Sequence, residues 1–178
     1  MIFLAYPAVA LIGATIHNLR HRGADRAKKL ETYLIWWIVA AIGVGNIVGG
    51  LFHVFDGPEI AEEIGFTRGD GGFQFENAMA DIAIGAIAVM CIRFRGNFIL
   101  AVLVAISISW WGDGYGHIYQ AEVNDNHDPD NTGIVLYSDF ILPAVGWVLY
   151  VLYRRAGGDR AAGEARDPAA AKAPATGA

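Results

Sequence analysis

Six ionisable residues stand where an apolar chain has little reason to place them: His53, Glu76, Asp81, Asp113, His117 and Asp139 all fall inside runs of aliphatic and aromatic side chains. A charged group near the middle of a bilayer costs about 2.5–3.5 kcal/mol on insertion scales, so each is first a candidate for function. Asp113 and His117 are four residues apart, which puts both on one helix face a turn from each other. Asn77 and Asp81 repeat that spacing, and Asn46, Gly49, Gly50 and His53 share a face in the same way. Imidazole and carboxylate donors together suit Zn, Mn, Fe or Cu, and helical bundles build such centres from facing carboxylates with a His at short helical spacing. In that metal-binding reading His53, Glu76, Asp113, His117 and Asp139 are the ligands or their immediate supports. Asp81 is then the catalytic proton acceptor for a metal-activated water or a redox substrate. The same residues also fit a proton- or cation-linked transporter or an accessory subunit of a membrane complex. They fit, equally, a structural network in which Asp113 orients His117 and the others pair with Asn46, Asn77, Tyr115 and Tyr137.

The elements that must hold these residues are long and apolar. Of 178 residues 54% are hydrophobic and only 17% charged, whereas a soluble domain carries about 25% charge. An ordinary soluble enzyme is thereby excluded. The net charge of -5 argues against nucleic-acid binding, and the single cysteine, Cys91, excludes a disulfide framework or a Cys-rich metal site. Runs of spanning length occur at residues 2–19, 32–55, 76–92, 97–119 and 134–153, so the expected fold is an all-α, polytopic transmembrane bundle of five spans. The first run has its basic cluster after it and no small-residue cleavage site, so it reads as a retained helix and not a leader.

Charge orients the bundle. Arg20, Arg22, Arg26, Lys28 and Lys29 lie between the first two runs, Arg93 and Arg95 between the third and fourth, and Arg154, Arg155, Arg160, Arg166 and Lys172 after the fifth. Only Arg68 is on the other side, which predicts an outer N-terminus and a cytoplasmic C-terminus. The opposite loops are acidic. With that topology His53, Glu76, Asp81, Asp113, His117 and Asp139 all fall in the outer half of the membrane, Asp81 about 7.5 Å below Glu76. The loop after the second run holds an amphipathic stretch, 59–66, suited to a short interfacial helix. Residues 1–155 form the bundle in this reading, and the Ala, Gly, Pro and charge of 156–178 predict a disordered cytoplasmic tail.

Smaller signals complete the pattern. Gly45 and Gly49 make a small-xxx-small pair for close helix approach. Gly112, Gly114 and Gly116 predict that the fourth span unwinds around Asp113. Trp36, Trp37, Tyr150 and Tyr153 fit an interfacial aromatic belt. Trp110 and Trp111 either join that belt or wall a pocket for a quinone or lipid headgroup. Asp128 to Gly133 has the look of a calcium loop with Asp139 at its twelfth position, although Pro129 and the following span disfavour it. Cys91 reads as an inert buried residue and His127 as a solvated one.

The run Phe73-Gln74-Phe75-Glu76 leading to Asp81 and Gly85, then Gly112 to His117, then Asn131-Thr132-Gly133 with Asp139 and Pro143, resembles a family of small bacterial polytopic membrane proteins of unknown function. The resemblance covers about residues 32–153 and implies a four-helix core with a variable first span. It supplies no activity. Expected partners are the lipid bilayer and either a second copy or another membrane protein. The expected location is the bacterial inner membrane, in keeping with an arginine-, alanine- and glycine-rich composition.

Overall fold

The computed structural model describes residues 2–158, whose regular structure is all helical, with no strand among them. The predicted tail lies outside the described residues from 159 onward. The helices are α1 (Ile2–Arg20), α2 (Arg26–Trp36), α3 (Gly45–Phe55), α4 (Gly57–Glu63), α5 (Gly71–Met90), α6 (Asn97–Asn124), α7 (Pro129–Thr132) and α8 (Ile134–Arg155). A π-helical stretch, Trp37–Val44, joins α2 to α3, so the second run is one continuous rod from Arg26 to Phe55. Four helical segments are long and apolar enough to cross a membrane: Arg26–Phe55, Gly72–Met90, Asn97–Asn124 and Pro129–Arg155.

The second rod starts where Asp25 accepts from the Lys28 amide, a side-chain N-cap. Its π stretch presents Ile38, Ala41 and Ile42 to the centre of the bundle, where Ile99, Val102, Leu103 and Ile106 of α6 meet them. Trp37 lies in this core and donates its indole N–H to the Leu142 carbonyl of α8 at 2.9 Å. Tyr150 and Tyr153 are likewise buried, so Trp37 and these two tyrosines do not form the predicted aromatic belt; their rings fill the core between α2 and α8. Replacing Trp37 with Phe keeps a ring but removes the N–H that the Leu142 carbonyl accepts, and should lower stability by about 1 kcal/mol, read as a lower thermal midpoint in detergent. An unchanged midpoint would mean that the indole contact is not stabilising.

Small residues set the closest approach, but not the predicted pair. Gly43 and Gly50 pack against α5, where a Cβ on Gly50 would come within 2.8 Å of Ile82 Cγ1 and 3.0 Å of the Ala78 carbonyl. Gly45 faces the Tyr6 ring, and Gly49 has open space before it. The reason is helical phase: Gly45 and Gly49 look towards the cavity described below, and Gly43 and Gly50 look the other way.

The fourth span does not unwind. α6 is an unbroken helix through Gly112, Gly114 and Gly116. Gly114 is occupied by packing, since a Cβ there would sit 2.6 Å from the Phe140 ring of α8, while Gly112 and Gly116 front open space. The glycine that costs helix propensity thus admits a neighbouring ring. At the acidic end of the bundle the amphipathic stretch forms α4, with Pro58 in its first turn. Gly65 follows at φ +86°, a left-handed position that glycine accepts without strain, and lets the chain pass against the Asn126 and Asp128 side chains.

Candidate functional site

A cavity of about 1050 Å³ opens at the acidic end, between α3, α5, α6 and α8 and beneath α4. Helical periodicity builds its walls. On α3, Asn46, Gly49 and His53 recur at i, i+3 and i+7; on α5, Gln74, Asn77 and Asp81 do the same; on α6, Trp110, Asp113, His117 and Gln120 follow suit. Ser138, Asp139 and Leu142 complete it from α8.

Five of the six predicted residues line this cavity: His53, Asp81, Asp113, His117 and Asp139. Glu76 does not. On α5, Gln74 and Asn77 share the inward face with Asp81 at spacings of seven and four residues, whereas Glu76, five residues from Asp81, turns outward and is exposed. Gln74 is the residue that sequence reasoning passed over; it is buried and its Oε1 stands 2.7 Å from His53 Nδ1.

Asn131 holds the second imidazole. It is fully buried at 0% exposure, and its amide nitrogen donates to the Asn126 carbonyl at 2.7 Å and the His117 carbonyl at 3.2 Å. Both amide protons are thereby used, which fixes the side chain's orientation and leaves Oδ1 facing His117 Nδ1 at 2.8 Å. An acceptor there requires His117 Nδ1 to carry the proton. His117 Nε2 then meets Asp139 Oδ2 at 3.7 Å, and in the neutral imidazole that nitrogen offers a lone pair to a carboxylate oxygen. Two acceptors facing each other call for a proton or another cation between them. Asp139 is only 8% exposed, and its Oδ2 has no hydrogen-bond partner.

A second unpaired atom lies deeper. Trp110 Nε1, which can only donate, bonds Asn46 Oδ1 at 3.0 Å, and so orients the amide with Nδ2 free. Asn46 is 5% exposed, and an unpaired donor at that burial costs about 1–3 kcal/mol unless a cavity occupant accepts from it. Trp110 therefore belongs to the cavity wall and not to an aromatic belt. Trp111 is exposed on the other side of α6.

The charge of the site has one sign. Asp81, Asp113 and Asp139 are near enough for their charges to interact, and Asp113 is also within reach of His53 and His117. Asp56, Glu59, Glu63 and Asp130 ring the mouth. Among the described residues no Lys or Arg lines it. Arg68, exposed beyond the rim, pairs with Glu62 at 2.8 Å and with Glu59, and these two carboxylates raise its pKa above the ordinary value. The Asn126 amide ties the roof down by donating to the Ile64 carbonyl at 2.8 Å.

The remaining candidates separate from this site. The calcium-like loop is helical at α7 and α8, with Asp139 inside the bundle, so its residues do not converge on an ion. Tyr137 is exposed and Tyr115 makes up part of the cavity wall. Cys91 is buried in the core, and His127 is exposed beside Asp125 at 3.2 Å. Among the described residues no group of three His, Cys, Asp or Glu is gathered closely enough to hold a metal ion.

No curated protein and no solved structure matches the chain. Residues 1–159 match the model of DUF6790, a family of unknown function, and the chain belongs to that family.

Proposed function

We propose that this chain is an integral membrane protein whose acid-lined cavity binds a cation arriving from the outer side. The observation that carries the reading is the lining itself: three carboxylates and two imidazoles from four helices, with no basic side chain beside them. Embedded in low dielectric, such a lining attracts cations and repels anions. Large apolar side chains support the membrane setting, since Phe55 at 77% and Ile108 at 73% exposure are among many that face outward, far more than a soluble surface carries. α1 adds a fifth span of 19 residues with Leu4, Leu11, Ile12 and Leu19 exposed. The basic loops orient this bundle with the cavity outside, in the plasma membrane of a bacterium.

A divalent metal is the second reading of the same cation. It is favoured by the two imidazoles, each with Nδ1 against an amide oxygen and Nε2 left over, the arrangement metal-binding histidines use. His117 and Asp139 are then the pair of donors already face to face, Asp113 and His53 line the same cavity and would have to close on them to complete the set, Asp81 is the proton acceptor, and Glu76 leaves the set.

Thermal unfolding of the purified protein with added Mn²⁺, alkylammonium ions and anions of matching size tests the reading. Cations should raise the midpoint, by about 2.7 kcal/mol of added stability at a hundredfold excess over Kd, and anions should not. Stabilisation by anions, or by nothing, would overturn it. Orientation is tested by membrane-impermeant thiol labelling of Glu122→Cys and Arg22→Cys in intact cells. Only Glu122→Cys should label, and the reverse pattern would place the cavity on the inner side.

A further inference from the structure

We propose that the cation is an elongated amphipathic amine, with its ammonium between Asp139 and His117 and an oxygen acceptor held at Asn46 about 10 Å deeper. This rests on the cation-binding reading and narrows it to a class of ligand.

Two buried atoms without partners set the requirement. Asp139 Oδ2 needs a donor, and the lone pair on His117 Nε2 beside it can accept a second N–H from the same group. A protonated amine supplies several donors and the positive charge at one point. Asn46 Nδ2 needs an acceptor, and its orientation is fixed by Trp110, so a hydroxyl or carbonyl oxygen answers it and a second ammonium does not. His117 and Trp110 are seven residues apart on α6, which separates the two demands by about 10 Å along the helix. One small ion cannot meet both.

The space between them can take a carbon chain along one wall. At about 1050 Å³ the cavity is larger than any single ion requires, and Trp110 and Leu142 give it an apolar wall below Asp139, alongside the carboxylates of Asp81 and Asp113. The rings of Tyr115 and Tyr119, which line the cavity on either side of His117 in the chain, can also offer π faces to an ammonium entering past the acidic mouth.

Calorimetric titration of the purified full chain with three probes tests this: an amino-octanol bearing amine and hydroxyl at opposite ends, octylamine, and octanol. The amino-octanol should bind most tightly. Octylamine, lacking the acceptor, should bind about fivefold more weakly, and octanol, lacking the charge, at least about tenfold more weakly. These comparisons leave the protein untouched, so they do not depend on a variant folding. In Asn46→Leu the amino-octanol and octylamine should become equal. Equal binding of both to the wild type would overturn the assignment of Asn46. Binding of Mn²⁺ with no binding of any amine would overturn the inference while leaving the cation site standing, and absence of binding by every cation would remove both.

Discussion

Asp139→Asn is expected to weaken cation binding by about 10- to 100-fold, the largest effect of any single change in the cavity, because it removes charge without changing shape. Asp139 is the most buried of the three carboxylates, and its Oδ2 is the atom left unpaired opposite His117. Asp113 is more open, with water available to share its load, so Asp113→Asn should cost less. Glu76→Gln is the informative control. That side chain faces away from the cavity, and its substitution should leave the Kd within about twofold, a surface-scale effect. Titration of the three variants by calorimetry decides the order. A Glu76 effect equal to that of Asp139 would mean that the cavity is not where the cation sits.

Gly85→Leu should destabilise the fold by about 3 kcal/mol, the upper end of overpacking costs. A Cβ at Gly85 would lie 2.7 Å from the Gly43 carbonyl oxygen, 2.8 Å from Ile47 Cγ1 and 3.0 Å from the Ile47 amide nitrogen. Two of those atoms are backbone, so no rotamer change relieves them; α5 must move off the second rod. That rod and α5 carry His53, Gln74 and Asp81, so cation binding should fall with stability. Gly49→Ala, which enters open space inside α3 and gains helix propensity, should melt at or above the wild-type midpoint. Thermal unfolding of both variants in one detergent checks the contrast, and equal midpoints would show that the close crossing is unimportant.

How much of this was legible before folding differed by residue. The long apolar runs and the charge asymmetry needed only composition and length, and the helices fall where those runs do, with ends shifted by several residues. The convergence of His53, Asp81, Asp113, His117 and Asp139 followed from helical spacing, because i, i+3, i+4 and i+7 positions keep one face whatever they pack against. Glu76 failed for the same physical reason. It stands five residues before Asp81, a spacing that leaves that face, whereas Gln74, seven before, keeps it.

Glycines were hardest to read, since the sequence does not say what approaches them. Gly114 accepts Phe140 from a helix far along the chain, and Gly50 accepts Ile82, whereas Gly49 meets nothing. Trp37, Tyr150 and Tyr153 are amphipathic and fit a membrane interface by type, yet tertiary partners draw them inside: the Leu142 carbonyl satisfies the Trp37 N–H, and Arg154 donates to the Tyr150 hydroxyl at 2.8 Å. The role of Asn131 could not be inferred from a turn-rich loop, because it depends on two carbonyls that only the fold brings within reach.

The most direct test of cation binding at His117 and Asp139 is nitrogen NMR of the purified protein labelled at histidine, recorded as a cation is added. The Nε2 resonance of His117 should move, its Nδ1 should remain protonated against Asn131, and His17 and His21 at the basic end should stay still. In Asp139→Asn the shift should require far more cation. A His117 signal that ignores the cation, or one that moves equally with and without the Asp139 charge, would contradict a cation site in this cavity.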